Sequence, residues 1–265
     1  MFHKIILLIV FGTVTVNNYT LTEKEYVKCK NQVPTFKNIS NIKKVYISDL
    51  TLTTLEPPHL KNMDRLEELV IAPSTIEHIK MGVLNNRAKL RKLTIIVSSM
   101  KRIDSRALDN NPNLEDVTVT IANIRRIDPR WFRNCNKLDR IDFSKNRIHF
   151  LPKRTFRNIA NVTDINLSEN LIKYMHPQAF RDLNSLQRLD LSCNKIGVFS
   201  HKTFKDLPKL KVLELSHNNI FCFNENVLIS LRSVEEVSIA SNPLDDDCVV
   251  KLKKYKQLIG TENII

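Results

Sequence analysis

The sequence predicts an α/β solenoid of about nine 24-residue units closed by a cap at each end. Three observations carry this. The segment Leu138-Asp-Arg-Ile141-Asp-Phe143-Ser-Lys-Asn146-Arg-Ile148 fits the pattern L-x-x-L-x-L-x-x-N-x-L, and it returns at Val162, Leu186, Leu210 and Val234. The same 24-residue step leads back through Leu114, Leu90 and Leu66 to Ile42, without insertion or deletion. Each unit pairs a strand-like alternation with a return segment long enough to bring the next strand in parallel.

Each element follows in chain order. Residues 1–16 read as a secretory signal peptide: a short start with Lys4, then the apolar run Ile5–Phe11. The run is too short to span a bilayer as a mature helix. Gly12 with Val10, or Thr15 with Thr13, could precede the cleavage site. Residues 17–41 form an N-terminal cap, and residues 42–244 form the array. Its strand columns are Val45 through Val237 and, two residues on, Ile47 through Ile239, always 24 residues apart. A further column, Leu60, Leu84, Leu108, Phe132, Phe156, Phe180, Phe204 and Leu228, forms an apolar spine. Asn146, Asn170, Asn194, Asn218 and Asn242 provide carboxamides that donate and accept where the chain leaves the strand. Leu50, Ser74, Ser98 and Ala122 hold that position earlier, and Arg87 and Asn111 break an otherwise apolar column. The N-terminal half should therefore be less regular. Residues 245–265 form a cap helix and tail: Asp245–Asp247 cap it, Cys248, Leu252, Tyr255 and Leu258 face inward, and Gly260 ends it.

These motifs resemble the typical 24-residue class of extracellular leucine-rich repeats, seen in Toll-like and slit-type arrays and in insect secreted leucine-rich immune proteins. The resemblance implies a horseshoe with a concave parallel sheet. Asn242-Pro-Leu-Asp-Asp-Asp-Cys248 resembles the C-terminal cap motif N-P-W-x-C-D-C, with Leu244 at the aromatic position and Asp246 at the first cysteine. Family N-caps carry several cysteines, whereas this one has only Cys29.

Composition narrows the function. Four scattered glycines exclude a glycine-rich phosphate loop. The seven histidines show no metal-ligand spacing, and neither metal nor cofactor is expected. Cys193 and His217 share a column and could lie about 5 Å apart with Asp190 nearby, but nothing forms an oxyanion pocket, so no enzyme is expected. Secretion makes disulfides available. Cys222 lies 24 residues before position 246, which puts Cys248 within reach of it. Cys135 sits in a core column, which leaves Cys29 and Cys193 as candidates for a covalent partner. Sequons occur at Asn18, Asn38, Asn161 and Asn166, of which Asn18, Asn38 and Asn161 are expected to carry glycans.

The expected function is extracellular protein–protein recognition, in innate immunity, on the concave face. Its central column is Tyr46, Val70, Thr94, Thr118, Asp142, Asn166, Asp190 and Glu214, with Ile96, Val97 and Ile121 adding exposed apolar surface rimmed by acids. The alternative is a module binding sulfated polysaccharide. The net charge of +13 includes two outer-face ladders: Arg106, Arg130, Arg154 and Lys202, and three residues on, Arg133, Arg157, Arg181 and Lys205. Stacked like charges repel, so an anion could relieve them. Nucleic acid and a membrane span are not expected.

Overall fold

The computed structural model describes residues 26–30 and 42–259, with side chains from 42 to 254. The signal peptide, most of the N-terminal cap, the sequons at Asn18 and Asn38, and the side chains of Cys29, Tyr255 and Leu258 lie outside those bounds. The chain falls into two compact units. Unit 1 runs to Ala122 and includes Arg130–Cys135; unit 2 holds Asn123–Pro129 and the chain from Asn136 on.

Unit 1 carries β1 (Tyr26–Lys30), β2 (Lys44–Ser48), β3 (Leu50–Leu55), β4 (Glu68–Ile79), β5 (Lys92–Ser98), β6 (Arg102–Ile103) and β7 (Asp116–Thr120). The order β1-β2-β4-β5-β7 is parallel throughout. Val45, Leu69, Leu93 and Val117 stand side by side in register, all fully buried. β3 pairs with β4 from Leu50↔Ser74 to Leu55↔Ile79. The strands stay extended past the turn because Thr51-Leu52-Thr53-Thr54 and Thr75-Ile76 favour pleated surface, and no asparagine turns the chain there.

Unit 1 satisfies its backbone differently from the later repeats. The Ser74 hydroxyl accepts the Leu50 amide at 3.2 Å. On the return side, Arg87 Nη2 donates to the Leu60 carbonyl at 2.9 Å, Asn111 Nδ2 to Leu84 at 2.9 Å and Cys135 Sγ to Leu108 at 3.2 Å. The residues that break the apolar column thus cap carbonyls of the preceding turn, each 27 residues back. Beside them the amides of Asn134, Asn110 and Asn86 form a chain of hydrogen bonds at 2.6 and 2.9 Å.

One expectation is corrected. The β4–β5 register shifts between Ile71 and Ser74, so Ser74 pairs with Val97 rather than Ser98. Val97 is consequently 1% exposed and belongs to the core, while Ser98 faces outward.

Unit 2 carries β8 (Arg140–Asp142), β9 (Phe150–Leu151), β10 (Asp164–Asn166), β11 (Tyr174–Met175), β12 (Arg188–Asp190), β13 (Val212–Glu214) and β14 (Glu236–Ser238), with helices α1 (Glu225–Ser230) and α2 (Asp246–Ile259). β8-β10-β12-β13-β14 form one parallel run, and β9 pairs with β11. These strands are short because the chain turns just before each asparagine. Lys145, Glu169, Cys193, His217 and Ser241 all take φ of 54–57°, a left-handed conformation that local side-chain bonding must support. Each asparagine bridges turns: Asn194 Nδ2 donates to the Leu167 and Leu191 carbonyls at 3.0 Å, while its Oδ1 accepts the Ile172 amide at 3.0 Å. Asn170 and Asn218 repeat this, which satisfies buried groups that would otherwise be costly. The spine stacks face to face, Phe156 on Phe180 at 5.7 Å and Phe180 on Phe204 at 6.4 Å. At the end, the Asp245 carboxylate accepts the Cys248 amide at 2.7 Å and starts α2, which buries Cys248 and Leu252.

Candidate functional site

The outward residues of each sheet alternate with the core columns, so register alone decides which side chains stand together. In unit 1, Tyr46, Val70, Thr94 and Thr118 form one half-exposed row. Ile96 is half-exposed on β5, and Ile121 is 52% exposed just after β7. The Tyr46 hydroxyl donates to Glu68 Oε1 at 3.0 Å. In a flanking row, Lys44 pairs with Glu68 at 3.7 Å and Lys92 with Asp116 at 3.9 Å.

In unit 2 the corresponding row is Asp142, Asn166, Asp190 and Glu214, strictly in register and half-exposed. Each of the first three does a local job as well. Oδ1 of Asp142, Asn166 and Asp190 accepts the amide two residues on, at 2.8, 2.9 and 2.9 Å. Beside this row run Arg140, Asp164 and Arg188. Arg188 reaches Asp190 at 3.9 Å and Glu214 at 3.4 Å. Burial pushes the Asp164 carboxyl above its usual range, although Arg140 and Arg188 oppose that. Four carboxylates thus face two guanidiniums, an acidic surplus on an otherwise polar face.

The basic outer-face residues are placed less simply than a free ladder. Asp109, 2% exposed, accepts both Arg106 and Arg133 at 2.9 Å through Oδ2. Asp182 sits 3.8 Å from Arg154 and 3.5 Å from Arg181. Arg130, Arg157, Lys202 and Lys205 are exposed. The structure therefore places one carboxylate with Arg106 and Arg133 and one with Arg154 and Arg181, which offsets part of the repulsion between the stacked cations.

The cysteines separate clearly. Cys135 is buried, and burial pushes its thiol up to about 11, so it stays protonated at neutral pH. Cys193 is exposed in its turn. Cys222 and Cys248 are free thiols here, and with a carboxylate oxygen of Asp245 their ligand atoms lie within 4.8 Å of one another. Asn161 is exposed, with Nδ2 donating to the Asn136 carbonyl at 2.8 Å; Asn166 is half-buried within its sheet row. Sequence reasoning passed over an exposed row on the flank of unit 2, where Phe150 stacks on Tyr174 at 5.4 Å. The 24-residue step from one to the other was the available signal.

Comparison with known proteins agrees with this geometry. The leucine rich repeat family pattern matches residues 112–164, 140–196 and 184–244, and a BspA type leucine rich repeat region matches residues 12–115. No curated protein sequence matches the chain. Among solved structures, TLR13 in complex with ssRNA13 is similar at 22% identity and TM-score 0.69, over 76% of this chain and 29% of that one. Drosophila Toll bound to Spatzle, in its glycosylated form, is similar at 16% identity and TM-score 0.74, over 83% of this chain and 30% of that one. A second Toll–Spatzle structure is similar at 19% identity and TM-score 0.65, over 84% of this chain and 32% of that one. This chain thus spans about a third or less of the length of those proteins. Strand registers, turn asparagines and family patterns coincide turn by turn through residues 112–244, and the chain belongs to the leucine-rich-repeat family.

Proposed function

We propose that this chain is a secreted recognition module that binds an extracellular protein partner through the sheet face of unit 2. The supporting observation is the registered row Asp142, Asn166, Asp190 and Glu214, which repeats acidic and amide groups at about 4.8 Å spacing. Such a row steers and orients a partner presenting basic groups. The similar Toll structures hold a protein ligand, Spatzle, in development and innate immunity. We assign the same broad class of partner, and an innate-immune setting, to this chain. Binding of this kind needs no reaction, metal or cofactor.

The test uses the local chemistry of the row. Asn166 shows that an amide keeps the turn hydrogen bond that Asp142 and Asp190 make. Asp142→Asn with Asp190→Asn removes charge while preserving the turn. Partners are first captured from the native extracellular fluid on the unaltered protein. The double Asn variant should weaken the captured complex roughly tenfold, and the corresponding double Lys variant should weaken it further. Glycopeptide analysis should find Asn161 occupied and Asn166 bare, since a glycan on Asn166 would obstruct the face. Indifference to both variants, with a glycan on Asn166, would sink the reading. Steep, salt-sensitive heparin retention that depends on Arg130 and Arg157 would move the function to the outer face.

A further inference from the structure

Unit 2 presents a second surface with a different chemistry. Where each turn leaves the sheet, its backbone hydrogen-bonds to the turn before: Arg147 to Ile124, Leu171 to Ile148, Lys173 to His149 and Lys195 to Ile172, at 2.8–3.1 Å. These contacts fix a ladder of rungs about 5 Å apart. Phe150 and Tyr174 stand in register on adjacent rungs, with Val198 one repeat on and Phe221 near the next. They are 41%, 52%, 79% and 62% exposed, although large apolar side chains usually find cover.

Cations flank this ridge. Arg125, Arg126, Arg147, Lys173 and Lys195 are all exposed on the same rungs. Among the described residues none of the five has a carboxylate within ion-pair distance. Their charge is therefore uncompensated, unlike that of Arg133 or Arg154 on the outer face.

We propose that this flank docks on an anionic lipid bilayer, with Phe150, Tyr174, Val198 and Phe221 entering the headgroup boundary and the five cations meeting lipid phosphates and carboxylates. Charge complementarity selects an anionic surface. The form of the ridge selects a fluid one. Its four side chains protrude, differ in size from rung to rung, and so present no repeated socket for a folded partner. The Phe150 and Tyr174 rings are parallel within 5° and turn their faces toward each other, which disfavours stacking by a base or a sugar. Aromatic and aliphatic side chains amid Lys and Arg are the combination that holds proteins at a bilayer interface without spanning it. This surface is independent of the acidic row, so a partner on the sheet and a bilayer on the flank can be held together.

The experiment is co-sedimentation of the full secreted chain with vesicles of phosphatidylcholine containing phosphatidylserine, and with vesicles of phosphatidylcholine alone. Binding is expected only to the former. It should fall steeply between about 0.1 M and about 1 M salt as screening shortens from about 10 to about 3 Å. The triple variant Arg147→Ser, Lys173→Ser, Lys195→Ser should weaken binding roughly a hundredfold, at roughly fivefold per cation. Phe150→Ser with Tyr174→Ser should abolish the binding that survives in high salt. The triple variant alters only exposed, unpaired side chains, so it keeps the test sound if the aromatic pair proves necessary for folding. Absence of binding to phosphatidylserine vesicles at low salt overturns the proposal. So does binding that ignores both variants, or a Phe150-dependent dimer in sedimentation velocity without vesicle binding, which would give the ridge to a second copy.

Discussion

Asp104 shows how one side chain organises several turns. Its Oδ1 accepts Arg102 Nε at 2.8 Å and lies 2.9 Å from His78 Nε2, while Oδ2 accepts the Met81 amide at 3.2 Å. Burial alone would raise its pKa, but the hydrogen bonds from His78, Arg102 and Met81 outweigh that and hold it at about 2. An unfolded aspartate titrates at about 4. A folded-state pKa below the unfolded one gives stability that is complete above about pH 4 and drains as pH falls toward about 2. The denaturation midpoint should therefore drop across that window, and Asp104→Asn should flatten the acid limb while lowering the midpoint at neutral pH. An unchanged acid limb would assign the loss to other carboxylates. The same scale explains the sheet row, where Asp and Asn are interchangeable because the turn needs only an acceptor oxygen.

At the scale of the element, each repeat is a strand, a turn and a return, and the end of the array needs a different solution. α2 supplies it by placing Cys248 and Leu252 over the last turn. Cys222, in the return segment before α1, lies against Cys248 with both sulfurs within 4.8 Å. We propose that these thiols join under oxidising conditions. Two S–H bonds break, one S–S bond forms, and two electrons and two protons pass to a disulfide-bearing oxidant. Peptide mapping without reduction should recover the Cys222–Cys248 crosslink. Replacing both with Ser should cost roughly 3 kcal/mol, from the unfolded-state entropy of the closed loop. Recovery of both thiols free would end this expectation. The proximity of the two thiols was legible because the repeat step brings position 222 beside 246; that both lie beside Asp245 was not, since it depends on how α2 enters.

For the whole molecule, cysteine accounting leaves Cys29 and Cys193 after Cys135 is buried and Cys222 meets Cys248. Cys193 is exposed in a turn whose amide is already bonded to Ser216, so its thiol is free to meet another chain. Non-reducing electrophoresis of the native protein should show a species heavier than the monomer, and Cys193→Ser or Cys29→Ser should remove it. A monomer alone would exclude a covalent partner. The 24-residue period, the core columns, the aromatic spine and the asparagine turns were all legible, because apolar spacing and turn chemistry are local properties that repeat with the chain. Partner choice across turns was not. Val97 replaces Ser98 in the core because β4 and β5 shift register. Arg87 and Asn111 turn from defects into carbonyl caps because the preceding turn offers unpaired oxygens. Arg106 and Arg133 share one buried carboxylate, which offsets one of their two charges, while Arg147 and Lys173 keep theirs beside an exposed aromatic pair. The sequence by itself determined which residues recur and which face inward. Only the tertiary structure decided which charges cancel and which apolar groups stay uncovered, because those outcomes rest on distances between turns that no single repeat encodes.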